Sequence, residues 1–122
     1  MSARILVIED NEQNLYLMRF LLGKHGFEVV EAQDGAEGIR LAREVDPTVI
    51  LLDIQLPVMD GYAVAEALRR EPKLAHVPII AVTSYAMVGD RERVLAAGAT
   101  DYIEKPINPD TFVQQVCQHV KA

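Results

Sequence analysis

A chain of 122 residues, half of them hydrophobic and a quarter charged, has the size and composition of one globular domain with a real core. Eighteen carboxylates against twelve Lys and Arg leave a net charge of −6, which speaks against non-specific binding to the phosphates of a nucleic acid. One cysteine, Cys117, excludes an intrachain disulfide and fits a reducing compartment, so a cytoplasmic location is expected. The start, Met1-Ser2-Ala3-Arg4, leads into a short apolar run closed by Glu9-Asp10. This is too short and too acidic for a signal peptide, and no stretch approaches the roughly 20 apolar residues of a membrane span. Residues 1–122 are therefore expected to form a single domain with no effector domain.

Arg4-Ile5-Leu6-Val7-Ile8 is an unbroken apolar run, the mark of a strand buried on both faces. Asp10 or Asn11 can cap the helix that follows, in which Leu15, Met18 and Leu22 recur at helical spacing. That helix ends near Gly23 to Gly26, with Gly26 in the left-handed position that glycine adopts most cheaply. Phe27 to Glu31 alternates as a half-buried strand. After the Asp34-Gly35 turn, Ala36 to Val45 carries Ile39, Leu41, Ala42 and Val45 at helical intervals. Asp46-Pro47 closes this helix, because a residue before proline leaves the right-handed helical region.

Val49-Ile50-Leu51-Leu52 then runs without a polar break into Asp53 and is the central strand. Pro57, Asp60 and Gly61 supply the turn. Tyr62 to Arg70 reads as a helix, Pro72 to Pro78 as a connection, and Ile79 to Val82 as a third buried strand ending in Thr83-Ser84. A helix over Met87 to Ala97 is ended by Gly98, and Thr100 to Glu104 is a short strand before Lys105-Pro106. The last helix is expected to open with Asn108 as N-cap and Pro109 at its first position. Phe112, Val113, Val116, Cys117 and Val120 would line its inner face, with Met87 as packing. His25, His76 and His119 share no metal-ligand spacing and are expected to be surface or interface residues.

Five strands alternating with five helices, at such short spacings, demand right-handed crossovers. The expected fold is α/β, a flavodoxin-like (βα)5 doubly wound parallel sheet in strand order 2-1-3-4-5. In a parallel sheet the carboxyl ends of all strands share one edge. Glu9-Asp10, Asp53, Thr83 and Lys105 therefore converge on one crevice. Clustered carboxylates repel one another and raise a pKa unless a cation neutralises them, and hard oxygen ligands suit Mg²⁺. A carboxylate so placed can attack phosphorus, with the lysine and metal absorbing charge on the phosphoryl oxygens and the Thr83 hydroxyl donating to one of them.

Four segments carry a resemblance: Ile8-Glu9-Asp10-Asn11, Leu52 to Gly61, Val82-Thr83-Ser84, and Tyr102-Ile103-Glu104-Lys105-Pro106. In this order along the whole chain they resemble the signature segments of response-regulator receiver domains of two-component signalling. The similarity is greatest to stand-alone receivers of the cell-fate and sporulation-relay kind. The resemblance implies that Asp53 accepts a phosphoryl group from a phosphohistidine. It implies that Asp10, Asp53 and the Gln55 main-chain carbonyl ligate Mg²⁺, with Glu9 acting directly or through water. Lys105 would bind the phosphoryl group, and the Lys105-Pro106 bond would be cis. Thr83 and Tyr102 would form the switch, the hydroxyl closing on phosphate and the ring turning into the vacated space. The partners implied are a histidine kinase or histidine phosphotransfer protein and a downstream protein.

Ser84 departs from the small residue usual after the switch threonine, and the bulky Tyr85 is expected to shield the acyl phosphate from water. The first helix also carries more apolar surface than a core stripe requires, and Leu17 and Phe20 are expected to dock a helical partner. Two other functions compete. Phosphatases of the haloacid-dehalogenase type need a second acid two residues after the nucleophile, where this chain has Gln55. A flavodoxin would want a Ser/Thr/Gly-rich phosphate loop where this chain has Glu9-Asp10-Asn11-Glu12. An enzyme acting on other molecules is not expected, only Mg²⁺-dependent gain and loss of its own phosphoryl group.

Overall fold

The computed structural model describes residues 3–56, 59–84 and 88–120. Expectations resting on Pro57, Tyr85 and Met87 lie outside the described residues. The strands are β1 (Arg4–Ile8), β2 (Glu28–Ala32), β3 (Val49–Asp53), β4 (Ile79–Thr83) and β5 (Asp101–Glu104). Between and after them come α1 (Glu12–Lys24), α2 (Gly35–Val45), α3 (Gly61–Arg69), α4 (Val88–Ala96) and α5 (Phe112–Cys117). All pairings are parallel and the order is β2-β1-β3-β4-β5. The doubly wound fold expected from the apolar runs is the fold observed.

Two faces of the sheet bury two cores, and the period-2 alternation of the strands decides which residue goes where. Leu6, Ile8, Ile50, Leu52, Ile79 and Ala81 point to one side, where Ala42 of α2, Val64, Ala65 and Leu68 of α3 and Val94 of α4 cover them. Ile5, Val7, Leu51, Ile80, Val82 and Ile103 point to the other, under Leu15, Met18 and Leu22 of α1 and Phe112, Val113 and Val116 of α5. β3 and β4 have no exposed residue, as a strand covered by helices on both sides must. Among the described residues no helix is long and apolar enough to cross a membrane.

The caps explain the helix starts. Asn11, Asp34 and Asp60 each accept a hydrogen bond from the backbone N–H three residues on, at 3.0, 2.8 and 2.9 Å. Gly26 and Gly98 have φ of 86° and 117° and end α1 and α4 as expected. Asp46 does leave the right-handed region before Pro47, but into the left-handed one, with φ 49°. In α2 the fully buried positions are Gly35, Gly38 and Ala42, while Ile39, Leu41 and Val45 are only half-buried. A Cβ on Gly38 would sit 2.5 Å from Ile8 Cδ1, so α2 rides close on β1 because its inner stripe is small.

Other boundaries differ by a residue: β2 runs one later than expected, and α3 begins at Gly61 instead of Tyr62. The Pro72 to Pro78 connection contains a 3-10 turn, Pro72–Leu74.

Three expectations fail in the last helix. Asn108 does not cap it: its side chain accepts from the Asp110 N–H at 2.9 Å, closing a local turn, and α5 begins at Phe112, so Pro109 is not its first residue. Asparagine commonly turns the chain this way by bonding two residues on, and here that turn precedes the helix proper. Cys117 is exposed. At about 100° per residue the stripe centred between Phe112 and Val116 has turned away by position 117, although the i+4 spacing from Val113 made it look internal.

Candidate functional site

β1 delivers the first acid. Glu9 continues the strand, its N–H donating to Ala32 O at 2.9 Å, and its side chain is fully buried. Asp10 beside it is exposed. β3 delivers Asp53, 3% exposed, whose Oδ1 accepts from the Gln55 N–H at 2.9 Å. One carboxylate oxygen from each of Glu9, Asp10 and Asp53 lies within 4.8 Å of the others, a grouping suited to a hard cation. β5 delivers Lys105, whose backbone N–H donates to Thr83 O at 2.7 Å. Its Nζ stands 3.1 Å from Glu9 Oε1 and 3.4 Å from Asp53 Oδ1. The peptide bond from Lys105 to Pro106 is cis.

Charge is not balanced here. Glu9 is pushed up to about pKa 7, first by burial and then by its hydrogen bond and repulsion with Asp53, against a lowering pull from Lys105. Its Oε1, despite the nearby ammonium, has no hydrogen-bond partner in good geometry. A buried oxygen in that condition is costly, and a cation among the three acids would relieve it. The donor set of carboxylates with one exposed member fits Mg²⁺, which keeps several of its waters.

Thr83 ends β4 and is 3% exposed. Tyr102 on β5 is half-buried against the core on the α2–α3–α4 side, with the Arg91 guanidinium 5.4 Å from its ring centre. Of the two residues expected to dock a partner, Phe20 is 55% exposed, while Leu17 is half-buried and packs on the α1–α5 core. Tyr16, 60% exposed, stacks on Phe20 with ring centres 6.4 Å apart. His119 pairs with Asp101 at 2.9 Å, and His25 and His76 are exposed.

One element of the crevice rim escaped the sequence reading. Gln55 entered through its carbonyl and through the carboxylate it lacks, yet its side chain also bonds Ser84 on the next loop. The signal lay in the register: Asp53 pairs with Val82, so positions two beyond each face one another.

The profile of the response regulator receiver domain family matches residues 5–117. The chain belongs to that family. This receiver domain is 41% identical over 116 residues to the polar-differentiation response regulator DivK of Brucella ovis, covering 95% of the chain and 94% of the relative. Among solved structures it is similar to the chemotaxis protein CheY4 of Vibrio cholerae, at TM-score 0.92 and 29% identity over 99% of this chain and all of that one. It is also similar to the receiver domain of the sensor histidine kinase PA1611 of Pseudomonas aeruginosa PAO1, at TM-score 0.88 and 36% identity over 98% of each. A receiver domain is a phosphorylation-activated signalling switch of two-component systems, not an enzyme in the ordinary sense. The phosphatase and flavodoxin alternatives find no support. Receiver domains bind Mg²⁺ in an acidic pocket, and the Glu9, Asp10 and Asp53 cluster is compatible with that.

Proposed function

We propose that Asp53 is the phosphoacceptor of this receiver domain and that the residues around it form a Mg²⁺-assisted phosphoryl-transfer site. The observation carrying this reading is the meeting of Glu9, Asp10 and Asp53 within 4.8 Å, with Lys105 Nζ 3.4 Å from Asp53 Oδ1. In the reaction an Asp53 oxygen forms a bond to phosphorus as the bond from phosphorus to the donor imidazole nitrogen breaks. The donor ring, protonated by solvent at its other nitrogen, leaves as neutral imidazole, and an acyl phosphate remains on Asp53. Asp10, Asp53 and the Gln55 main-chain carbonyl would hold Mg²⁺, with Glu9 direct or through water. Bound there, the ion would offset the acids and withdraw charge from the phosphoryl oxygens. Lys105 neutralises another of those oxygens, and the Thr83 hydroxyl donates to a third.

Thr83 and Tyr102 are the switch in this reading, coupling the phosphoryl group to the face built by α4, β5 and α5. Domains of this kind work with histidine kinases and downstream proteins. Here the donor would be a histidine kinase or a histidine phosphotransfer protein docking on α1 through Phe20 and Leu17, and the output a protein partner. The acidic net charge favours such partners over nucleic acid, and the unpaired Cys117 suits a cytoplasmic setting. In the family, PA1611 is described with a magnesium ion coordinated in its active-site cleft, which supports the same metal here.

The test is incubation with acetyl phosphate and Mg²⁺, followed by intact mass. One phosphoryl group should be gained by the native chain and none by Asp53→Asn. Equal gain in both would overturn the assignment.

A further inference from the structure

One side chain bridges the mouth of the crevice. Gln55 Oε1 accepts from the Ser84 hydroxyl at 2.5 Å and from the Ser84 N–H at 3.2 Å. The two residues are 29 apart in sequence and belong to the loops after β3 and β4. The Gln55 N–H is itself turned onto Asp53 Oδ1, and Ser84 directly follows the buried Thr83. Donors on both loops beside the reactive carboxylate are therefore already engaged by acceptors of the chain itself.

A phosphoryl group carries nearly two negative charges and three strong acceptor oxygens. It needs donors where it arrives. Lys105 Nζ is shared between Glu9 and Asp53, so the Ser84 N–H is a further donor at the rim, provided Gln55 gives it up. Ser84 is exposed and Gln55 half-buried, so their bond sits at the solvent edge, where exchanging it for another acceptor carries a small net cost.

We propose that the Gln55 side chain is a latch: it holds Ser84, and with it the end of β4, in the resting position, and it must release the Ser84 donors before a phosphoryl group on Asp53 is fully bound. The inference rests on Asp53 as phosphoacceptor. Gln55 is then a positioning residue with two separable parts, a carbonyl toward the metal and a side chain that biases the loop against the loaded state. No group is transferred by the latch itself; one acceptor replaces another on the same donors.

Beryllofluoride with Mg²⁺, a non-hydrolysable phosphoryl mimic, measures the bias by titration calorimetry. Gln55→Met keeps the length and main chain but lacks the acceptor, and should bind the mimic about three- to tenfold more tightly. Ser84→Ala weakens the same latch, so the double variant should bind no more tightly than Gln55→Met alone. Amide hydrogen exchange gives a reading free of the mimic: the Ser84 N–H should exchange faster in Gln55→Met, and stay protected in Gln55→Glu, which retains an acceptor. Unchanged or weaker mimic binding in Gln55→Met, full additivity of the two variants, or unchanged Ser84 exchange would each overturn the latch. If the native chain fails to bind beryllofluoride at all, the Asp53 assignment falls and the latch with it. If it binds and the variants match it, only the latch falls.

Discussion

Lys105 is the side chain on which the charge balance of the crevice turns. It is the ammonium that reaches both Glu9 and Asp53, 3.1 and 3.4 Å away. Glu9, raised to about pKa 7 even with Lys105 in place, would rise further without it. Lys105→Met keeps most of the aliphatic bulk and removes the charge. Its rate of phosphoryl uptake from acetyl phosphate should fall about a hundredfold or more, the loss typical when one preorganised charge donor to a developing anion is deleted. A time course of intact mass at fixed Mg²⁺ checks this, and uptake within threefold of the native rate would remove Lys105 from the reaction. The acids and the lysine were legible in the sequence because strand ends converge. The Gln55–Ser84 bond was not, because each residue drew notice for its own place while its side-chain partner lay 29 residues away on another loop.

Elements hold these residues in place through close backbone approach. Gly61 opens α3, its N–H donating to Ile54 O at 3.0 Å, and a Cβ there would lie 2.4 Å from Ile54 Cα and 2.8 Å from Asp53 O. Both obstacles are backbone of the segment that carries Asp53, so neither can turn aside. Gly61→Ala should cost about 1–3 kcal/mol by forcing α3 away from β3, read as a lower urea midpoint, and should slow phosphorylation as Asp53 shifts. An unchanged midpoint would mean α3 tolerates the displacement. The glycine was visible in the sequence as turn chemistry, but its reason, contact with the backbone of Asp53 and Ile54, needed the packed helix. α5 shows the converse. Its apolar spacing located Phe112, Val113 and Val116 correctly, yet a six-residue helix turned Cys117 outward, which periodicity alone had put inside.

For the whole molecule, strand order followed from apolar runs and short crossovers because few topologies satisfy both. Binding would then be coupled to stability, since a cation held by Glu9, Asp10 and Asp53 would have no such site in the unfolded chain. Mg²⁺ at ten times its dissociation constant should add about 1.4 kcal/mol and raise the melting temperature by several degrees. Calorimetric melts with and without Mg²⁺ test this. The gain should shrink in Asp53→Asn, and equal shifts in both proteins would place the ion elsewhere.

The edge of the sheet away from the crevice is tied differently. Arg69 of α3 donates to the carbonyls of Gly98, Leu74 and Val77 and to the Thr100 hydroxyl, at 2.7–3.1 Å. One guanidinium thus pins the far end of α4 and the approach to β4 to the same post. Mechanically, α4 resembles a cantilever, clamped just beyond Ala96, its other end being the one nearer Thr83 and Ser84 in sequence. Were phosphorylation to displace the chain after Thr83, a helix held at its far end would turn about the Arg69 anchor, and the stiffness of that clamp would set how much of the displacement reached the surface.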